Sequence, residues 1–300
     1  MSTRTIKPSR SDRAFLLGIH SILLFALVVV LYPLIFVVSS SLSETTAVTS
    51  GQVWLWPVEP TLIGYKAAFR NNQVLIGYGN SAIYALLGTL INVTMTILAA
   101  FPLSRRDFYG RGFFMFLFTF TMLFSGGGLI PVYLLVKSLG MVDTRLAMVI
   151  PNAMGVYQVI IARTFFQSNI PYELSDAAEI DGCSDIGFVA RVVLPLSAPI
   201  VAVLSLMYAV GHWNSYFNAL IYLSDPKKFP LQIILRNILI LNATDFTMRT
   251  VDVKQMMERQ GLTDLLKYSL IVIASLPVLA LYPFVQKYFV KGIMIGSIKG

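Results

Sequence analysis

No charged residue stands between Arg13 and Glu44. As a helix, those thirty residues are about 45 Å long, more than the roughly 30 Å of a bilayer's hydrocarbon core. Arg4, Lys7, Arg10 and Arg13 precede the run and imitate the start of a secretory signal. Signal cores, however, run about 7–15 residues, and no small-residue cleavage pattern precedes the end of this run. It reads as a retained first membrane helix. Composition extends the argument to the whole chain. Apolar residues make up 56% and charged residues 13%, with a mean hydropathy of +0.72. Soluble domains carry about 25% charged residues. This chain cannot cover a globular surface with polar groups, so lipid is its solvent.

Six runs meet the length of a span: residues 15–39, 81–103, 113–136, 146–165, 198–222 and 268–289. The expected fold is an all-α membrane protein of six transmembrane helices. Lys and Arg divide almost equally between the two sides, so local density sets the orientation. Basic residues crowd the flank before the first span, the turn holding Arg105, Arg106 and Arg111, and the end of the last span, at Lys287 and Lys291. Short loops near helix ends carry the positive-inside rule. Both termini are thus expected in the cytoplasm, as tails 1–14 and 291–300 around a permease domain 15–290. Two spans look irregular, one with Gly126–Gly128 and Pro131, the other with Pro151 and Asn152. Such backbone suits either close helix packing or a cavity wall.

Several classes are excluded. The net charge of +8 comes from scattered residues, with no basic stripe for nucleic acid. Cys183 is the only cysteine, so an intramolecular disulfide and a thiolate metal site are impossible. His20 and His212 lie far apart, which argues against a histidine metal site. A membrane-embedded enzyme would need a catalytic constellation, and the spans hold almost no titratable groups beyond those histidines.

Residues 167–195 form an inner, non-spanning segment. Pro171 and Glu173 suit a first helical turn, Gly182 a helix stop, and Ser184 the cap of a second helix. From Tyr172 through Asp185 there are five acids and no base. A helix lying on anionic lipid is rich in Lys and Arg, so this one should point away from the bilayer. It either docks on a protein or is a solvated acidic loop.

The spacing here is specific. Asp176-Ala177-Ala178, three residues, Gly182, nine residues, Val192 and then Leu194-Pro195 resembles the E-A-A-x3-G-x9-I-x-L-P signature of binding-protein-dependent ABC importers. Asp176 replaces the usual Glu, and Val192 the usual Ile. Ile180-Asp181-Gly182, the run from Leu194 to Pro199, Trp213-Asn214 and the tail from Lys291 to Gly296 resemble the carbohydrate-uptake branch, typified by the small permease of the maltose importer. The stretch Ser125-Gly126-Gly127-Gly128-Leu129-Ile130-Pro131 is most similar to permeases for oligosaccharides cut from polysaccharides.

That resemblance implies a multi-pass subunit in the cytoplasmic membrane of a prokaryote. It would pair with a second permease, two ATPases and an extracytoplasmic solute-binding protein, and carry an oligosaccharide. Glu173, Asp176, Ala177, Ala178, Asp181 and Gly182 would contact an ATPase. No G-x-x-x-x-G-K-[ST] loop is present, so ATP and Mg belong to the partners and this chain holds no cofactor and no catalytic residue.

The sugar path needs polar and aromatic groups inside the bundle. On the fifth span Ser205, Tyr208, His212, Ser215, Tyr216 and Ala219 recur at spacings of three and four. Tyr208, His212 and Tyr216, with Asn152 and Tyr157 on the fourth span, are the chosen path residues. Asn92, Thr94, Gln158, Asn214 and Asn218 are further candidates. Each serves equally as an interhelical hydrogen bonder. A secondary transporter stays open as an alternative, though no internal repeat is visible, as does an ABC permease for another small solute.

Overall fold

The computed structural model describes residues 9–124, 128–238, 265–283 and 286. Among them every regular element is helical. In chain order these are α1 (Arg10–Ser41), α2 (Thr45–Thr49), α3 (Ile63–Arg70), α4 (Asn72–Ser104), α5 (Arg111–Leu123) and α6 (Leu129–Ser138). A 3-10 turn follows at Arg145–Met148, then α7 (Val156–Asn169), α8 (Tyr172–Ile180) and α9 (Asp185–Phe188). A π turn at Val189–Val193 leads into α10 (Leu194–Leu196), α11 (Ala198–Trp213), α12 (Tyr216–Tyr222), α13 (Leu231–Arg236) and α14 (Leu265–Pro283). The tail motif from Lys291 to Gly296 lies outside the described residues.

α1, α4 and α14 are long and apolar enough to cross a membrane, and α9–α11 form a fourth candidate bent by 86°. The other expected spans are interrupted. The third becomes the shorter α5 and α6. The fourth does not start at 146: a 3-10 turn and irregular backbone precede α7, because Pro151 and Gly155 cannot sustain a helix there. The fifth breaks at Asn214 and Ser215. The second instead gains a turn and more at its start, and α4 reaches 33 residues, about 50 Å.

The chain divides into two compact units. The first contains α1–α3 and residues 265–273. Ser9 and Asp12 form a capping box that starts α1. Most of α1 is exposed, as suits a helix whose apolar surface meets lipid or another subunit. Its last turn is buried and polar: Ser39 Oγ donates to the Leu55 carbonyl at 2.6 Å, and Ser41 bonds the Tyr65 hydroxyl at 2.8 Å. Tyr268 meets Phe36 edge-on.

The second unit, Asn71–Asn237 with Ala274–Gly300, is organised by α4, which packs against α7, α11 and α13. Three sets of buried polar groups mark its length. Near its start Asn80 donates to the Lys227 and Phe229 carbonyls, Tyr84 donates to Lys228, and the Ser81 hydroxyl accepts from Leu231 N–H. Asn92 and Thr96 sit mid-helix, and Ser104 and Arg105 at its end. An apolar core of Ile97, Leu103, Val159, Phe166, Phe188 and Leu204 lies between the last two sets.

Candidate functional site

α8 has no fully buried residue. It ends in a Schellman motif: Gly182 N–H donates to the Glu179 carbonyl at 3.0 Å and Cys183 N–H to Ala178 at 2.8 Å. Gly182 sits at φ +70°, where an L side chain is strained. Ser184 then caps α9, its hydroxyl accepting from Gly187 N–H at 3.2 Å. The outcome is a sharp exposed corner. Glu173, Asp176, Ala177, Asp181 and Gly182 are exposed on it, while Ala178 is half-buried and packs on the core beside α4 and α7. Two residues outside the expected set share the corner: Ile180, 85% exposed, and Ile186, 82% exposed. The signal for them was in the sequence, as aliphatic residues flanking a helix stop in a charged segment.

Arg105 ties α4 to this corner. Its guanidinium lies 4.6 Å from the Phe101 ring centre, 5.2 Å from Tyr172 and 5.8 Å from Phe188. Burial pushes that guanidinium down from its ordinary value, and Tyr172, Asp107 and Asp176 pull it back up. The Tyr172 hydroxyl donates to the Ser104 carbonyl at 3.3 Å. Sequence reasoning placed Arg105 only as a topology marker.

The second feature is an open cavity of about 300 Å³ between α4, α7 and α11. Asn92, Asn152, Tyr208 and His212 line it, with Gln158, Ser215 and Asn218. Asn92 Nδ2 donates to the Asn152 carbonyl at 2.7 Å. Its Oδ1 therefore faces His212 Nε2 at 3.3 Å, which requires the Nε2–H tautomer for a bond. The Tyr208 hydroxyl accepts from Gly155 N–H at 3.1 Å and shares a 2.7 Å bond with Thr96. The irregular stretch before α7 contributes Asn152, Met154 and Gly155, so here non-helical backbone lines a cavity. No Lys, Arg, Asp or Glu is among the lining residues.

Other expected path residues lie elsewhere. Tyr157 is 56% exposed and absent from the lining. Tyr216 packs against the cluster of Tyr84 and Met148, together with Ala219. The reason is the break after α11: Ser215 Oγ donates back to the His212 carbonyl at 2.7 Å and the helical phase is lost. Ser205 does not reach the lining, and Thr94 bonds the Leu90 carbonyl instead. Asn214 accepts from Gln232 at 3.3 Å. Trp213 donates to the Ala274 carbonyl at 2.9 Å and meets Tyr78 edge-on.

Beyond α6, Asp143 accepts from the Ser224 and Asp225 N–H groups, each at 3.0 Å, and pairs with Lys228 at 3.1 Å. The two N–H bonds and the Lys228 bond lower its carboxyl to about 2.

Residues 74–295 match the family model of the binding-protein-dependent transport system inner membrane component. The chain is 41% identical over 274 residues to Protein LplC of Bacillus subtilis (strain 168), covering 91% of this chain and 90% of that one. It is also 41% identical over 280 residues to the polygalacturonan/rhamnogalacturonan transport system permease protein YtcP of the same strain, covering 93% and 96%. One chain of the crystal structure of a bacterial ABC transporter involved in the import of the acidic polysaccharide alginate superposes with a TM-score of 0.86. It is 31% identical and the match covers 95% of this chain and all of that one. This chain thus belongs to the binding-protein-dependent transport system inner membrane components, the permease subunits of ABC importers.

Proposed function

We propose that this permease imports oligosaccharides derived from polysaccharides, and that the corner at Gly182 receives the thrust of a cytoplasmic ATPase. The observation that carries the reading is the Schellman corner, whose exposed acids and isoleucines stand in register with the Asp176-Ala177-Ala178…Gly182 signature. The names of the relatives support the substrate class: one acts in polygalacturonan/rhamnogalacturonan transport, another in alginate import. On this reading Glu173, Asp176, Ala177, Asp181 and Gly182 meet the ATPase, with Ile180 and Ile186 filling apolar pockets on it. Ala178 acts from behind, letting α8 lie close to the core. Both termini then lie in the cytoplasm, as do α8 and α9.

The cavity beside α11 is the proposed station of the sugar. Asn92, Asn152, Gln158, Ser215 and Asn218 offer uncharged donors and acceptors, and the Tyr208 ring an apolar face for a pyranose. ATP-driven closure of the ATPases would rock α8 and, through Tyr172 and Arg105, the end of α4. That motion opens the cavity alternately to either side. A second permease, two ATPases and a solute-binding protein complete the machine, and those ATPases hold ATP and Mg.

The test is uptake by proteoliposomes holding the complex purified through this chain, with the binding protein and labelled oligosaccharides from pectin or alginate digests. ATP-dependent uptake of one such class is expected. Uptake without ATPase subunits, or of no oligosaccharide at all, would refute the reading.

A further inference from the structure

Arg105 is 8% exposed, and its Nε and Nη2 are buried with no hydrogen-bond partner among the described residues. The rings of Phe101, Tyr172 and Phe188 shield it, but rings do not satisfy N–H donors. A buried guanidinium left this way is costly, so a missing acceptor is implied. Arg105 also lines a cleft of about 430 Å³, within the range of small-molecule sites of about 300–1,000 Å³.

The cleft has two chemical characters. Ile97, Leu98 and Phe101 come from the last turns of α4, a helix long and apolar enough to cross the membrane. Arg105, the residue after that helix, stands with the carboxylates of Asp107 and Asp185. α4 as a whole outruns the bilayer, but its uncharged stretch ends at Ser104, next to Arg105, and such a polar end of a span marks the headgroup layer. An apolar wall, one cation and two anions there match a molecule carrying a phosphate, a cationic amine and an acyl chain.

We propose that this cleft seats one amine-bearing zwitterionic phospholipid of the leaflet next to the coupling corner. Its phosphate accepts from Arg105 once the shielding rings turn aside, its ammonium donates to Asp107 and Asp185, and its first acyl carbons lie along Ile97 and Leu98. An anionic lipid satisfies Arg105 but is repelled by the two carboxylates. A choline lipid carries no N–H to donate to them. The lipid would bridge α4 and α9, and so tie the corner to the bilayer. This goes beyond the importer reading; it requires that α4 spans and that an ATPase docked at the corner leaves the cleft side of Asp185 uncovered.

The test uses the importer complex purified through this chain in mild detergent. It is equilibrated with dioleoyl phosphatidylethanolamine, phosphatidylglycerol or phosphatidylcholine, and retained lipid is counted by mass spectrometry. The expected result is about tenfold preference for phosphatidylethanolamine, the weight of one charge-assisted hydrogen bond. Arg105→Gln should lower its retention by a similar factor. Asp107→Asn with Asp185→Asn, both exposed positions, should erase the preference over phosphatidylglycerol. Leu98→Trp, which fills the apolar part, should reduce retention of all three. Equal retention in these variants, or phosphatidylglycerol held as tightly as phosphatidylethanolamine by the unaltered chain, overturns the proposal. So does a photocrosslinker at Leu98 that captures a protein subunit instead of lipid. Uptake measured on the same preparations keeps this outcome separate from the importer reading.

Discussion

A methyl group at Gly88 should be among the most damaging small changes in the chain, and its cause can be isolated. A Cβ there would collide with the His212 imidazole. That ring is 7% exposed, and its Nε2 bonds Asn92, which holds the Asn152 carbonyl. The 3.3 Å bond has no slack, so displacing the ring breaks it. Overpacking costs about 1–3 kcal/mol and a lost hydrogen bond about 1 kcal/mol, so Gly88→Ala should destabilise by about 2–4 kcal/mol. His212→Ala alone should also destabilise, since it empties a packed site and strands the Asn92 oxygen. In the double variant the methyl occupies vacated space. The two changes should therefore be less costly together than their sum, with a coupling of about 1–3 kcal/mol. The assay is reversible unfolding in mixed micelles of the four proteins that form the cycle. Additivity within about 0.5 kcal/mol would refute the reasoning, because it would mean that Gly88 and His212 do not touch.

Other outcomes follow from the same geometry. Gly182→Val should leave membrane insertion intact but sharply reduce substrate-stimulated ATPase activity, since φ +70° excludes a β-branched residue; undiminished stimulation would count against the corner as the coupling point. Tyr208→Phe should cost about 1–2 kcal/mol in unfolding measurements by stranding Gly155 N–H and Thr96, while Tyr157→Ala should leave the substrate response unchanged. The Asp143 carboxyl is lowered from 3.8 to about 2, so the stability it adds is full above about pH 4 and lost as pH falls towards 2. The difference in thermal midpoint between the unaltered chain and Asp143→Asn should therefore shrink across that window, and a constant difference would show that the carboxylate bonds do not hold the loop.

Much of this protein was legible without coordinates because the relevant forces are local. The uncharged run after Arg13, the helix stop at Gly182 and the cap at Ser184 depend on neighbours within a few residues, so one-dimensional spacing carries them. The coupling signature belongs to the same class: its twenty residues form their corner from their own backbone bonds. The stripe on the fifth span parted in space where locality ended. Periodicity assumes an unbroken helix, but Ser215 bonding back to His212 breaks the phase, sending Tyr216 to the Tyr84 cluster and keeping Ser215 and Asn218 at the cavity.

The sequence by itself determined that the chain is a helical membrane protein, which family it resembles, and where its acidic corner lies. Only the tertiary structure decided that Arg105 is a buried clamp rather than a topology marker, that Asn92 orients His212, and that Met154 and Gly155 belong to the cavity while Tyr157 does not. The physical reason is common to all three. Each depends on a contact between residues far apart in the chain, such as Asn92 with His212 or Arg105 with Tyr172, and burial at such contacts follows from helix crossing, which hydropathy along a single strand of sequence does not encode.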